Sequence, residues 1–348
     1  MLTLFYDTLP ENFLDTPARE LHRCLLGPTL IHLSGRRPRP LFVSVLLHGN
    51  EDCGLVAVQN VLRRYHGQML PRALSILVGN VAAARHGLRR LDEQPDYNRV
   101  WPGNVAHGQT PEHAAMCEVY RQLAEREVFA SIDIHNNTGL NPHYAVVNRL
   151  DAEVLHLARL FARTVVWFRG LPGSQTNAFS PRCPSVTIEC GKPGVAANEI
   201  QATRFLDACL HLDHFPDHQP SPADLDVYHT LATVRVSSRA SFAFGDSRAE
   251  IDFEPRLDHL NFCQLAAGTV FGRSRLPHPL EVYDESGQEV SDDFFVCDDG
   301  ILRLRRAVTP AMLSLDLRVV RQDCLCYLMD RLPVSHWSQT RQVQYTDA

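Results

Sequence analysis

At 348 residues the chain is long enough for two domains of roughly 100–200 residues each, with cores that need no staples. Its 45% apolar and 21% charged composition is that of an ordinary globular protein and excludes disorder and collagen-like repeats. The 34 basic and 40 acidic side chains leave a formal charge of -6 without blocks of one sign, so no nucleic-acid partner is expected.

The first 35–40 residues carry little pattern and read as an N-terminal extension. Leu41–Leu47 is a continuous β-type run, and residues 55–65 follow with helical spacing. Ser75–Val78 is a second strand, after which a loop rich in Arg, Asp and Pro fills 85–111. Residues 112–127 read as a helix, as do 151–163 and 197–213. Ala130–Ile134, Tyr144–Val147, Thr164–Phe168 and Ser185–Glu189 are further strands. Strands apolar on both faces, alternating with helices, predict an α/β fold with a mostly parallel mixed sheet covered by helices on both faces. The apolar stretch Leu155–Phe168 is interrupted by Arg159 and Arg163, so no membrane helix is expected.

Residues 215–224 hold three prolines, which suits a linker at 215–225 between an α/β domain at 1–214 and a smaller β-rich C-terminal domain at 226–348. Short β-like runs recur there, at 233–236, 268–271, 280–283, 294–297 and 324–328, with Asp299-Gly300 as a tight turn. The N-terminus has no basic n-region and no apolar h-region, and the ten cysteines include no CxxC pair. A cytoplasmic protein with reduced thiols is the expectation, and a homo-oligomer is left open.

In an open α/β sheet the ligand site lies beyond the carboxyl ends of the strands. His48-Gly49-Asn50-Glu51 follows the first buried run, His135 ends the run from Ala130, and Glu189 ends the run from Ser185. Two imidazoles and two carboxylates therefore converge on one edge. Two His and one Glu form a catalytic zinc set, so His48, Glu51 and His135 are the candidate ligands of one zinc ion. Gly49 is expected to permit unusual backbone angles in the turn, and Glu51 to begin the next helix. Zinc lowers the pKa of water to about 7, and a carboxylate that is not a ligand can carry the water proton to a leaving nitrogen. Glu189 is the candidate. In the loop, Arg99 offers a fork of donors for a substrate carboxylate, with Asn98 beside it, and Arg89 or Arg90 could polarise a scissile carbonyl.

His48-Gly-Asn-Glu51, Asp96-Tyr-Asn-Arg99, Asp133-Ile-His135 and Ser185-Val-Thr-Ile-Glu189 occur in an order that resembles the succinylglutamate desuccinylase/aspartoacylase family, part of the wider zinc carboxypeptidase group. The resemblance covers about 41–195, with spacings of 84 residues from Glu51 to His135 and 54 from His135 to Glu189. It implies a zinc-dependent hydrolase of an amide bond next to a free carboxylate, in a small-molecule substrate. By motif, His48, Glu51 and His135 would bind zinc, Glu189 would be general base and acid, and Asn98 and Arg99 would hold the carboxylate. Arg89 would polarise the carbonyl, and a β-rich domain would narrow the entrance. Members acting on acyl-aspartate use another arginine upstream of the catalytic glutamate, for which Arg182 is the nearest candidate. The aromatic segment that supplies a substrate tyrosine in that family is not recognisable in this chain.

The resulting expectation is a deacylase of a small N-acyl amino acid. The alternatives are a zinc carboxypeptidase on small peptides, a silent carboxylate-metabolite binder, and a cysteine hydrolase using Cys53 or Cys190.

Overall fold

The computed structural model describes residues 2–104, 106 and 108–337. They fold as two compact units, the first drawn from the chain up to Asn136, His143–Asp226 and Pro333 onward. The second comprises Asn137–Pro142 and Val227–Leu332.

The first unit contains, in chain order, β1 (Thr3–Tyr6), β2 (Thr29–Leu33), β3 (Gly35–Val45), α1 (Cys53–Arg64), β4 (Leu70–Val78) and α2 (Val81–His86). There follow α3 (Pro111–Ala124), β5 (Ala130–His135), β6 (Tyr144–Val147), α4 (Ala152–Phe161), β7 (Thr164–Trp167), α5 (Gln175–Phe179), β8 (Ser185–Glu189) and α6 (Ala196–His211). The strands lie in the order β1-β2-β4-β3-β5-β8-β6-β7. β4, β3, β5 and β8 are mutually parallel. The β2–β4 and β8–β6 pairs are antiparallel, which makes the sheet mixed. The N-terminal segment, which lacked a clear pattern in sequence, supplies two of these strands.

Local sequence explains the element ends. β3 shifts register between Arg37 and Leu41, where Pro38 and Pro40 cannot donate to a ladder. The N-terminus of α3 has Pro111 in its first turn, and the Thr110 side chain accepts from the His113 amide at 3.2 Å. Asp151 caps α4 and Ser174 caps α5 in the same way.

One face of the central strands is apolar: Val43, Val45, Ile132, Ile134, Val186 and Ile188 are all fully buried. α1 lies so close to it that a Cβ at Gly54 would stand 2.9 Å from side-chain atoms of Ile134 and Val45. The opposite face differs from the expected pattern. Ser131, Asp133 and His135 alternate along β5, as Ser185, Thr187 and Glu189 do along β8, and all six are buried. These strands are apolar on one face only. Towards β2 the polar face gives way to Leu30, Phe42 and Leu77, which pack with Met116, Val119 and Leu123 of α3 and with Trp101 and Phe179.

In the second unit, β9 (Asp226–Val236) pairs antiparallel with β13 (Leu280–Asp284) and β17 (Cys326–Arg331), and β17 pairs with β16 (Thr309–Ala311). A separate five-stranded sheet is formed by β10 (Phe242–Phe244), β11 (Ile251–Phe253), β12 (Val270–Ser274), β15 (Ile301–Leu304) and β14 (Phe295–Asp298), in that order. Asp299 and Gly300 both have positive φ between β14 and β15, the geometry of a type I′ hairpin turn.

Candidate active site

β3, β5 and β8 are consecutive neighbours, so their carboxyl ends open on one place. The chain runs from β3 to β4 on one side and returns to β5 on the other, which makes that place a topological switch point. Leu46, just beyond β3, is buried in the left-handed region with φ 55°. Such a conformation costs on the order of 1–3 kcal/mol, and here it turns the chain into His48. Gly49 serves a different purpose from the one expected: a Cβ there would lie 2.2 Å from the backbone nitrogen of Ala84 in α2, so its role is close approach. Glu51 also departs from expectation, because α1 starts only at Cys53, whose amide donates to Asn136 Oδ1 at 3.1 Å.

The three expected ligands meet. His48 Nδ1 lies 2.9 Å from Glu51 Oε1, His135 Nδ1 lies 2.6 Å from Glu51 Oε2, and the two Nδ1 atoms are 3.1 Å apart. All three residues are buried, and together they could hold a metal ion. Ligands of a tetrahedral zinc at about 2.0–2.1 Å stand roughly 3.3 Å from one another, close to this spacing. The far side of each ring fits as well. His48 Nε2 is 3.0 Å from Asp96 Oδ1, and His135 Nε2 is 2.7 Å from Asp133 Oδ2. A metal-ligating histidine characteristically donates its second nitrogen to a carboxylate in this way.

Electrostatics favour a cation here. Burial would lower the His135 imidazole, but Asp133 and Glu51 outweigh it and raise it well above the ordinary histidine range. His48 is raised too, since Glu51 and Asp96 overcome burial and Arg89. Burial raises the Glu51 and Asp96 carboxyls, yet His48 with its neighbours His135 and Arg89 respectively holds both below the usual range. Carboxylates that favour a proton on each imidazole equally favour a divalent cation between them.

Glu189 is buried at the end of β8, directly opposite His135 in the β5–β8 register. Arg89 is buried, donates to Asp96 Oδ2 at 2.8 Å and lies 3.7 Å from Glu51 Oε1. Arg90 instead donates to loop carbonyls, including that of Gln94 at 2.9 Å. The structure thus brings Arg89, and not Arg90, to the cluster. Arg99 is half-buried, donates to the Asn98 carbonyl and is close enough to lower the Asp96 carboxyl. Asn98 is buried with its carboxamide on Asp133 and on the amide of Gln175.

Arg182 does not join them. It precedes the amino end of β8, whereas Glu189 is at the carboxyl end, and its exposed guanidinium donates to the Tyr120 hydroxyl and lies over that ring. Nearness in sequence to Glu189 was a misleading guide, because the strand carries the two to opposite edges. Cys53 and Cys190 are buried, and the Cys190 thiol is pushed well up by burial and by Cys53, which disfavours a nucleophilic thiolate.

Sequence reading assigned no role to Asp96, Asp133, Ser44 or Gln175. Ser44 donates to Asp133 Oδ1 at 2.6 Å, and Gln175 donates its side-chain amide to Ser131 Oγ at 3.1 Å. The i, i+2 spacing of Asp133 and His135 was the available signal, since it places both on one face of a strand.

The model of the succinylglutamate desuccinylase/aspartoacylase catalytic domain matches residues 39–212, half of the chain. The chain belongs to the succinylglutamate desuccinylase/aspartoacylase family. No curated protein sequence matches it. Among solved structures it is similar to the succinylglutamate desuccinylase of Chromobacterium violaceum, at 16% identity, with 88% of this chain and 89% of that one covered and a TM-score of 0.58. A succinylglutamate desuccinylase/aspartoacylase from Rhodobacter sphaeroides gives 15% identity, 86% and 88% coverage and a TM-score of 0.56. Murine aminoacylase 3 gives 16% identity, 86% and 97% coverage and a TM-score of 0.55. These likenesses establish the shared mixed α/β fold with its second β-rich part. No helix among the described residues is long and apolar enough to cross a membrane.

Proposed function

We propose that the chain is a zinc-dependent hydrolase that cleaves the amide bond of a small N-acyl amino acid. The reading places the chemistry in residues 1–214, with 215–225 as linker and 226–348 as the β-rich domain, in a cytoplasmic protein with a zinc carboxypeptidase-like catalytic fold. It is carried by the meeting of His48, Glu51 and His135 at hydrogen-bond distances, with His135 on the strand that pairs with that of Glu189. Family membership supports the reaction class.

In this reading His48, Glu51 and His135 would hold one zinc ion, the two imidazoles turning Nδ1 towards Glu51. Bound zinc supplies Lewis-acid activation of water and of the scissile carbonyl. Glu189 takes the proton of the attacking water on a carboxylate oxygen and delivers it to the leaving nitrogen. Asp96 and Asp133 fix the two imidazoles by holding their Nε2 protons. Arg89, oriented by Asp96, offsets negative charge on the carbonyl oxygen as the tetrahedral centre forms. Arg99 binds the free carboxylate of the substrate through its guanidinium fork.

The test is a panel of acyl-amino acids and C-terminal dipeptides offered to zinc-loaded protein, with Glu189→Gln as the blank. Release of an amino acid from an acyl-amino acid by the wild type alone supports the reading. Cleavage confined to dipeptides would replace it with a carboxypeptidase. A zinc-filled protein that binds but cleaves nothing would make it a binder. Equal affinity for ester-capped and free-carboxylate substrates would remove Arg99 from its role.

A further inference from the structure

Asn98 is tied to several parts of the site. Its Nδ2 lies 2.9 Å from Asp133 Oδ2 and 3.1 Å from His135 Nε2, and its Oδ1 accepts the backbone N–H of Gln175 at 3.0 Å. Its own backbone N–H donates to Asp96 Oδ1 at 2.8 Å. Asn98 thus touches both carboxylates that face the Nε2 atoms of the histidines.

The orientation of the carboxamide follows from its partners. A flipped amide would set NH2 against the Gln175 N–H and oxygen against the Asp133 carboxylate, so both contacts would become repulsive. His135 Nε2, at 2.7 Å from Asp133 Oδ2, spends its proton on that oxygen and offers no lone pair to Asn98. Asn98 therefore donates to Asp133. The fully buried Asp133 then receives three donors: Ser44 Oγ at 2.6 Å on one oxygen, with His135 and Asn98 on the other. Such a network is rigid, since each broken contact leaves a polar group unpaired in a dry interior.

We propose that Asn98 is a positioning residue that pins the Asp133–His135 pair to the amino end of α5 and so aims His135 Nδ1 at the metal. The inference rests on the zinc reading of His48, Glu51 and His135. This role adds to the carboxylate contact expected from sequence, since Nδ2 carries two N–H donors and the bond to Asp133 uses one of them. Gln175, the first residue of α5, becomes the anchor of the pin through its main chain.

The test uses full-length protein stripped of metal and titrated with zinc against a chromophoric chelator, with the visible spectrum of the cobalt(II)-loaded form as a second readout. Asn98→Ala is expected to weaken zinc binding about 10–100-fold, as outer-shell substitutions do, and to shift the cobalt bands. A second pair guards against misfolding. Proline fits the first helical position but lacks the N–H, so Gln175→Pro removes the bond to Asn98 that Gln175→Ala keeps. Gln175→Pro should therefore weaken zinc binding several-fold more than Gln175→Ala. Wild-type zinc affinity and cobalt spectrum in Asn98→Ala, or equal affinities in the two Gln175 variants, would overturn the inference while leaving the zinc site standing. Failure of the wild type to bind zinc would remove both.

Discussion

The two faces of β3, β5 and β8 are equally buried and chemically opposite. One carries Val43, Val45, Ile132, Ile134, Val186 and Ile188; the other carries Ser44, Asp133, His135, Thr187 and Glu189. On the first face, stability comes from apolar area removed from water, which tolerates small changes of shape. On the second, a buried polar group is costly unless it is paired, and the Ser44–Asp133–His135 chain and the Thr176–Thr187 hydroxyl pair at 2.6 Å show how pairing is achieved. The same face holds a third imidazole that sharpens the contrast. His32 pairs with Ser75 at 2.8 Å, and its Nε2 has no hydrogen-bond partner among the described residues. Burial and then Arg126 push it down to about 4, whereas His48 and His135, faced by carboxylates, are pushed up. Burial alone expels charge; burial beside carboxylates collects it.

Four substitutions would break or sharpen this comparison. Glu189→Gln should keep zinc but lower turnover by about 10²–10⁴-fold, because an amide cannot accept the water proton. Near-normal turnover by that variant would exclude Glu189 as the base. Asp133→Ala leaves Ser44, Asn98 and His135 without their acceptor, and should destabilise the metal-free protein by about 3–5 kcal/mol in denaturant titration. A loss below about 1 kcal/mol would show that the polar face is not bound by that carboxylate.

His32 predicts a pH effect away from the metal. Its folded pKa of about 4 lies below the ordinary 6.5, so between those values the unfolded chain binds more protons. Its contribution is intact above pH 6.5 and is lost as the pH falls towards 4, by at most about 3 kcal/mol. His32→Gln should flatten the acid limb of the stability curve over that window, and an unchanged slope would refute it. The smallest effect belongs to the apolar face. Ile132→Val should cost about 0.5–1.5 kcal/mol and leave zinc affinity unaltered, so a change in metal binding would mean the faces are coupled.

Much of the fold was legible because β-branched runs and helical spacing are local signals. The helix expected at 55–65 is α1, and the one at 197–213 is α6, each within two residues at either end. Residues ending the strands were legible for the same reason, which is why His48, Glu51, His135 and Glu189 stood out. Adjacency was not. That β5 inserts between β3 and β8 depends on pairing between distant segments, which no local pattern encodes. The polar face was misread because serine and threonine suit a strand and did not break the apolar impression of Ser-Val-Thr-Ile-Glu. Arg182 was chosen for its nearness in sequence to Glu189, while the direction of the intervening strand sets the two at opposite ends. Arg89 and Arg90 could be told apart only once one was seen on Asp96 and the other on its own loop.

The most direct test of the account is an anomalous-scattering map at the zinc edge from crystals of zinc-loaded protein. The account predicts one peak per chain, within coordination distance of His48 Nδ1, His135 Nδ1 and a Glu51 carboxylate oxygen. A peak elsewhere, or none at those three side chains, would contradict it.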